Sequence, residues 1–200
     1  VIAGETGSSM MPGQGGSYSV VVTNIATGCV NDDSTIVIES APPSLELLSQ
    51  TQAFAENHVI EVLATGIGEY EYSLDDGPWQ DSGVFSNVSP GDHYVTARDK
   101  MGCGITMIPV NLIDYPLYFT PNGDGNHDTW NIPGIGSSAK IYIFDRYGKL
   151  VKQISPSGSG WDGTFNGNLM PSSDYWFTVE YIEPTTNEPK EFKAHFTLKR

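Results

Sequence analysis

The sequence has few cysteines, few basic residues and no long apolar stretch. Its 200 residues include only Cys29 and Cys103, too few for a disulfide framework or a cysteine-based metal site. No 18 consecutive residues are apolar, so no transmembrane helix is predicted. Ten basic residues stand against 24 acidic ones, and the net charge of −14 disfavours binding to nucleic acid. We therefore expect no nucleic-acid partner.

Catalytic and cofactor-binding motifs are also missing. The four histidines are not at metal-ligand spacing from one another, and neither Gly-x-Ser-x-Gly nor His-Glu-x-x-His occurs. Acidic residues are numerous, but no spacing singles out a pair for acid–base chemistry. We predict that the protein is not an enzyme, has no catalytic residues and requires no cofactor.

Turn-forming and aromatic residues are abundant. The chain contains 22 glycines, 13 prolines and 22 aromatic residues, a composition typical of short strands joined by many turns. We predict an all-β fold of tandem Ig-like antiparallel β-sandwiches with essentially no helix. The stretch 45–64 is the most helix-like part, and its periodicity alone leaves a helix open.

A repeat favours strands throughout. Residues 16–23 lead to Gly28-Cys29, and residues 91–99 lead to Gly102-Cys103, each as a turn glycine, a Tyr/Val-rich segment and a polar tip. The two cysteines are 74 residues apart, a spacing that fits one small β-sandwich module. Equivalent positions of tandem modules lie beyond disulfide reach. We predict no disulfide and two buried thiols.

The repeat and the charge distribution divide the chain into three units. Residues 1–42 are predicted to be the rear half of an Ig-like repeat, 43–114 a complete Ig-like sandwich, and 115–200 a third β-sandwich. Residues 1–114 carry a net charge of −13, whereas residues 115–200 carry −1. Five glycines within residues 1–16 favour disorder there. The first two units therefore form an acidic stalk before a near-neutral unit.

The third unit has a clear strand pattern. Residues 140–145 and 150–154 alternate around a turn and predict a hairpin. In the final segment one face is apolar, with Phe192, Ala194, Phe196 and Leu198, and the other carries Lys193, His195, Thr197 and Lys199.

The loop 120–130 is a candidate calcium site. Oxygen-bearing side chains occur at Asn122, Asp124, Asn126 and Asp128, with glycines between the first three. Calcium-binding loops place such residues at alternate positions, but here only two are charged and no bidentate Glu follows at EF-hand spacing. The alternative is a tight loop whose side chains cap their own backbone.

A second polar turn, residues 161–167, begins with Trp161. Aromatic residues beside polar loops can stack on sugars, but they more often close the end of a sandwich, and we favour the second interpretation.

Residues 118–130 resemble the opening signature of the type B carboxy-terminal sorting domains of the type IX secretion system, also called gliding-motility-associated C-terminal domains. Segments 141–150, 160–167, 169–177 and 195–200 resemble the later blocks of this family, in order. His127 stands where the family more often has an apolar residue. Segments 70–77 and 95–103 more loosely resemble Ig-like repeats of bacteroidete surface and gliding adhesins.

The resemblance implies export through the outer membrane to the cell surface. It also implies two partners, the type IX outer-membrane translocon and an outer-membrane protein of the PorP/SprF type. We predict that the translocon recognises the final strand together with loops 120–128 and 160–167. If that strand lies at a sheet edge, its backbone could pair with a partner strand. The candidate contacts are Lys193, His195, Lys199, Arg200, Trp161 and Asp162.

Two other functions stay open from the residues. The chain could be a module that binds surface polysaccharide through tryptophans, or the accessory region of a secreted enzyme. The tryptophans are Trp79, Trp130, Trp161 and Trp176.

Overall fold

The computed structural model describes residues 7–200, and every regular element in that range except isolated turns is a β-strand. This confirms the predicted all-β class. The helix-like stretch 45–64 forms two strands, Ser44–Gln50 and His58–Thr65. Residues 7–200 contain no helix that could cross a membrane. Residues 7–15 hold no strand, and residues 1–6, where disorder was also expected, lie outside the described part.

The first unit is a two-stranded hairpin. Strands β1 (Gly16–Thr23) and β2 (Val30–Val37) pair antiparallel in continuous register. Most of its side chains are exposed on both faces, including Val20, Val22 and Ile36, and no residue of the hairpin belongs to either hydrophobic core of the described residues. The hairpin therefore has no core of its own.

The second unit is a sandwich of two three-stranded antiparallel sheets. One sheet has the order β3-β4-β6 and the other β5-β7-β8. Buried residues from both sheets, among them Ile60, Val62, Val95 and Leu112, form a single core. The strands are β3 (Ser44–Gln50), β4 (His58–Thr65), β5 (Tyr70–Leu74), β6 (Val84–Val88), β7 (Gly91–Asp99) and β8 (Ile105–Leu112).

The third unit is built on one five-stranded sheet with the order β11-β10-β14-β15-β9. All neighbours are antiparallel except β15 and β9, which run parallel. Strands β12 and β13 form a separate small hairpin. The strands are β9 (Tyr118–Phe119), β10 (Lys140–Phe144), β11 (Leu150–Ile154), β12 (Thr164–Phe165), β13 (Asn168–Leu169), β14 (Ser173–Ile182) and β15 (Pro189–Leu198).

The layer that covers this sheet is mostly irregular chain, where the sequence pattern predicted a second sheet. Trp130, Ile132, Ile135 and Trp161 bury the inner face of the sheet. Trp130 Nε1 donates to the Pro116 carbonyl at 2.7 Å. Because buried indoles keep their hydrogen bonds in this way, loops can cover the sheet without a second ladder of strands.

The repeat predicted from the two Gly-Cys pairs corresponds to two similar hairpins. Gly16 pairs with Val37 in one, and Gly91 pairs with Leu112 in the other. Both cysteines are free thiols, but the prediction that they are buried is wrong, since both are exposed. Cys29 and Cys103 precede the second strand of each hairpin, in the connecting turn that faces solvent.

Candidate functional site

Asp128 organises the loop 120–128. Its Oδ1 accepts the backbone N–H groups of Asn122 at 3.0 Å and Gly123 at 2.7 Å, and its Oδ2 accepts that of Gly125 at 2.8 Å. The bonds from Gly123 and Gly125, more than that from Asn122, favour the ionised carboxylate and lower the pKa of Asp128. The loop is therefore wound around one carboxylate.

The other candidate calcium ligands cap the same loop. Asn122 Oδ1 accepts the Asp124 N–H at 3.0 Å, and Asp124 Oδ1 accepts the Asn126 N–H at 2.8 Å. An ion bound here would have to replace or share these bonds. No group of three or more His, Cys, Asp or Glu side chains within residues 7–200 is arranged to hold a metal. The geometry matches the self-capped alternative, and calcium binding stays a prediction.

His127 stands where the family that the sequence resembles more often has an apolar residue, and its backbone is in the left-handed region. Its φ is 52°, and its ring lies 5.6 Å from the ring of Tyr118. Such a backbone conformation is strained for β-branched side chains and more tolerable for His. The imidazole thus joins the loop to the outer face of the sheet.

Trp161 closes the core beneath the second polar turn. It has no exposed surface, packs at 4.9 Å from the Tyr175 ring, and donates from Nε1 to the Thr164 carbonyl at 2.8 Å. Asp162 Oδ1 accepts both the N–H and the hydroxyl of Thr164, which lowers the pKa of Asp162 although partial burial opposes the shift. The predicted partner contact through Trp161 is wrong because the side chain is inaccessible.

The final strand is an edge over only part of its length. Thr197 N–H donates to the Leu117 carbonyl at 2.9 Å and Lys199 N–H to the Phe119 carbonyl at 3.0 Å, so the end of the chain has neighbours on both sides. The condition for pairing with a partner strand, an open sheet edge, is therefore not met at this end. Among the described residues, 189–195 have a strand neighbour only on the β14 side.

Arg200 also forms hydrogen bonds within the third unit. Its backbone N–H donates to Ser172 Oγ at 3.0 Å, and its guanidinium donates to the Gly163 carbonyl at 3.1 Å and to the Met170 carbonyl. These bonds tie the chain end to the turn that contains Trp161. Arg200 is therefore committed to the fold and is a poor candidate for partner recognition.

The remaining basic candidates lie on the outer sheet face, as the alternation predicted. Lys193, His195 and Lys199 are exposed. Lys193 Nζ lies 2.6 Å from Glu191, and Lys199 Nζ lies 4.4 Å from the centroid of the Tyr118 ring. The second contact is a cation–π pair.

Aromatic side chains share this face with the basic residues. Trp176, which is 44% exposed, is the cross-strand neighbour of His195 on one side and of Phe144 on the other. We use the name outer strip for six side chains of this face: Tyr118, Phe144, Trp176, Lys193, His195 and Lys199. The carboxylates of Asp174, Glu180 and Glu191 are exposed on the same face. Alternation along β14 could have placed Trp176 here, because Tyr175 and Phe177 point inward.

The other tryptophans differ sharply in accessibility. Trp130 and Trp161 are 0% exposed, so they cannot contact sugars. Trp79 is partly exposed, but the Arg98 guanidinium covers its ring at 3.9 Å. Trp176 is thus the tryptophan with an open ring face in the third unit.

Residues 113–198 match the family model described as the CHU_C type IX secretion signal domain. The third unit is a type IX secretion signal domain. The matched range begins two residues before the boundary predicted from charge and pattern. A signal domain of this type indicates interaction with the type IX secretion machinery and export through the outer membrane to the cell surface or extracellular space.

Comparisons beyond the signal domain are distant. A biofilm-associated protein BSP domain is 11% identical with a TM-score of 0.25, covering 76% of this chain and 29% of that one. The chicken CNTN1 FN1–FN3 domains are 12% identical with a TM-score of 0.22, covering 92% and 78%. Neither similarity indicates a function. A comparison with curated proteins found no match.

Proposed function

We propose that the chain is the carboxy-terminal region of a cell-surface adhesin from a gliding bacteroidete. The signal domain directs type IX export and surface attachment, and the Ig-like units before it act as stalk or adhesive repeats without enzymatic activity. The supporting observation is the family match at residues 113–198, directly behind an acidic β-sandwich. High negative charge keeps such a stalk soluble and separated from anionic surfaces.

The outer strip is the proposed recognition surface of the signal domain. Loops cover the inner face of the five-stranded sheet, whereas the outer face presents Trp176 together with Lys193, His195 and Lys199. Aromatic and cationic side chains of this kind are typical of anchors in protein interfaces. The proposed partners are the translocon and an outer-membrane protein of the PorP/SprF type.

Surface display of a reporter tests this proposal. A reporter followed by residues 1–200 and preceded by a periplasmic signal peptide is expressed in a bacteroidete that has a type IX system. The double variant Lys193→Glu/Lys199→Glu should reduce display several-fold while leaving the thermal midpoint of the purified chain nearly unchanged, because both ammonium groups are exposed.

A matched control reverses the same number of charges elsewhere on the domain. The variant Lys149→Glu/Lys152→Glu changes exposed side chains at the β10–β11 hairpin, on the opposite edge of the sheet. It should be displayed like the wild type. Equal display of both double variants would contradict recognition through the outer strip.

Polysaccharide binding is the second candidate function, and the open ring of Trp176 beside His195 favours it. The ring centroids of these residues lie 6.1 Å apart on the outer sheet face, and a sugar ring could stack on the exposed indole. Affinity electrophoresis through gels that contain bacterial surface polysaccharide should then retard the wild-type chain and not Trp176→Ala. Equal migration of both chains would remove this candidate.

A further inference from the structure

A loop of the second unit inserts into the signal domain. We call residues 51–57, which connect β3 and β4, the docking loop. The Phe54 ring stacks on the Phe192 ring with centroids 4.2 Å apart and meets the Tyr181 ring edge-on at 5.4 Å. Phe54 thereby packs against the core of the signal domain and not against that of its own unit.

Polar bonds hold the docking loop around this aromatic contact. Phe54 N–H donates to the Ile113 carbonyl at 2.9 Å, where the chain enters the signal domain. Ala53 N–H donates to Glu183 Oε2 at 3.2 Å, and Lys190 Nζ donates to Gln52 Oε1 at 2.5 Å. Three successive residues of the docking loop therefore bond outside their own sandwich.

Glu183 is completely buried at this contact. Its Oε1 accepts the N–H and hydroxyl of Thr185, and its Oε2 accepts the hydroxyl of Tyr181 as well as Ala53 N–H. Burial and the neighbouring carboxylate together raise the pKa of Tyr181 to about 12. A buried carboxylate is costly unless its oxygens are bonded. The second unit supplies one of the four donors that the signal domain needs here.

The backbone of Phe54 is strained, and the core of its own sandwich makes no contact that would hold it in this conformation. Its φ is 63°, in the left-handed region that bulky side chains seldom adopt. Such strain persists when surrounding contacts over-determine the conformation. Here the contacts with Phe192, Tyr181 and Ile113 are those that hold the residue.

We propose that the docking loop fixes the signal domain on the second unit, so that the secretion machinery receives residues 43–200 as one rigid body. Phe54 and Glu183 are positioning residues. They hold the signal domain, and the outer strip with it, in one orientation on the second unit. The consequence for export rests on the proposed function, whereas the docking does not. On this proposal, the rigid body that the secretion machinery receives extends about one module upstream of the matched range.

Nuclear spin relaxation of the full chain tests the docking. Backbone amides of β7 and β14 should report one common rotational correlation time in the wild type. In Phe54→Ala they should report two different, shorter times, because the ring that joins the units is gone. Phe54→Gly also relieves the left-handed strain and should uncouple the units equally, and Phe54→Tyr should keep them coupled.

The control is Ile67→Ala, which truncates an exposed side chain in a loop of the same unit and should leave one common time. Different times in the wild type, or a common time in Phe54→Ala, would overturn the docking.

Reporter display tests the positioning role separately. Phe54→Ala should lower display several-fold relative to Ile67→Ala, and Phe54→Tyr should restore it. Uncoupled units with unchanged display would overturn the positioning role. Loss of display in Lys193→Glu/Lys199→Glu with a common correlation time reports on the outer strip alone, so the two proposals fail independently.

Discussion

Asp128 is the residue on which the folding of loop 120–128 depends. Asp128→Ala removes the acceptor of three backbone N–H groups, and we expect a lower thermal midpoint for the signal domain. Because the pKa of Asp128 is lowered in the folded state, its contribution is complete above the ordinary aspartate pKa of about 3.9 and is lost as the pH falls through the folded value.

Melting curves followed by circular dichroism from neutral to acid pH measure this effect. The difference in thermal midpoint between wild type and Asp128→Ala should shrink on acidification. Glu188→Ala, an exposed carboxylate on the same domain, is the control and should follow the wild type. A constant difference at all pH values would show that the charge of Asp128 is not involved.

Calcium binding has a separate test in the same loop. Because the loop side chains already satisfy backbone donors, we expect the domain to stay folded in chelator. If calcium binds as well, adding it should raise the thermal midpoint, and Asp124→Ala should abolish that rise. An unchanged midpoint in calcium would remove the ion from the description of this loop.

Cys29 and Cys103 show what a residue pattern leaves undetermined. Their equivalent spacing correctly indicated two similar hairpins, but burial depends on whether a residue lies in the strand or in the turn before it, and the Gly-Cys pairs lie in the turns. We predict that both thiols of the native protein react with a water-soluble disulfide reagent about as fast as in denaturant. Protection of either thiol would contradict the exposed positions.

At the scale of elements, the sequence predicted which side chains of strand β15 face the core, but not which strands lie beside it. Alternation shows which side of a strand is buried, so Phe196 and His195 were placed correctly. The lateral partner β9 has only two residues, too short for a periodic signal, and its position depends on contacts with distant parts of the chain. For the same reason the loops around Trp130 and Trp161 gave no sign that they replace a second sheet.

Phe196 makes β15 a core element of the signal domain, so removing the end of this strand affects folding as well as any surface that the strand presents. Its ring stacks on Trp130 with centroids 3.8 Å apart and has almost no exposed surface. We expect Phe196→Ala to destabilise the signal domain by about 3–5 kcal/mol, measured by guanidinium unfolding. Lys193→Ala, on the outer face of the same strand, should change stability by less than about 0.5 kcal/mol. Deleting residues 196–200 would therefore unfold the domain, and its effect on export would not report on recognition.

His93 connects strand β7 to the turns beside it. Its Nδ1 lies 2.5 Å from Asp75 Oδ2 and its Nε2 2.7 Å from the Ser89 carbonyl. Burial opposes the charged ring, but the bonds to Asp75 and Ser89, with the nearby charge of Asp92, outweigh it and raise the pKa of His93.

The stabilisation from His93 is complete below the ordinary histidine pKa of about 6.5 and is lost as the pH rises through the folded value. We therefore expect the second unit to melt at a lower temperature in mildly alkaline than in mildly acid buffer. His93→Gln should flatten this dependence, whereas His195→Gln should not. A wild-type midpoint that rises steadily across this pH range would contradict the assignment.

At the scale of the whole molecule, stability should fall from the signal domain towards the first hairpin. The signal domain and the second unit each bury a core, whereas β1 and β2 expose Val20, Val22 and Ile36 and, within residues 7–200, pair only with each other. An isolated hairpin is marginal in water, and its backbone hydrogen bonds open by local fluctuation. We predict that amide hydrogens of β1 and β2 exchange far faster than those of the equivalent hairpin β7–β8, which has the same strand pattern but a covered inner face. Peptide-resolved hydrogen exchange of the full chain compares the two hairpins directly, and equal protection would mean that the first hairpin is covered by something other than its own two strands.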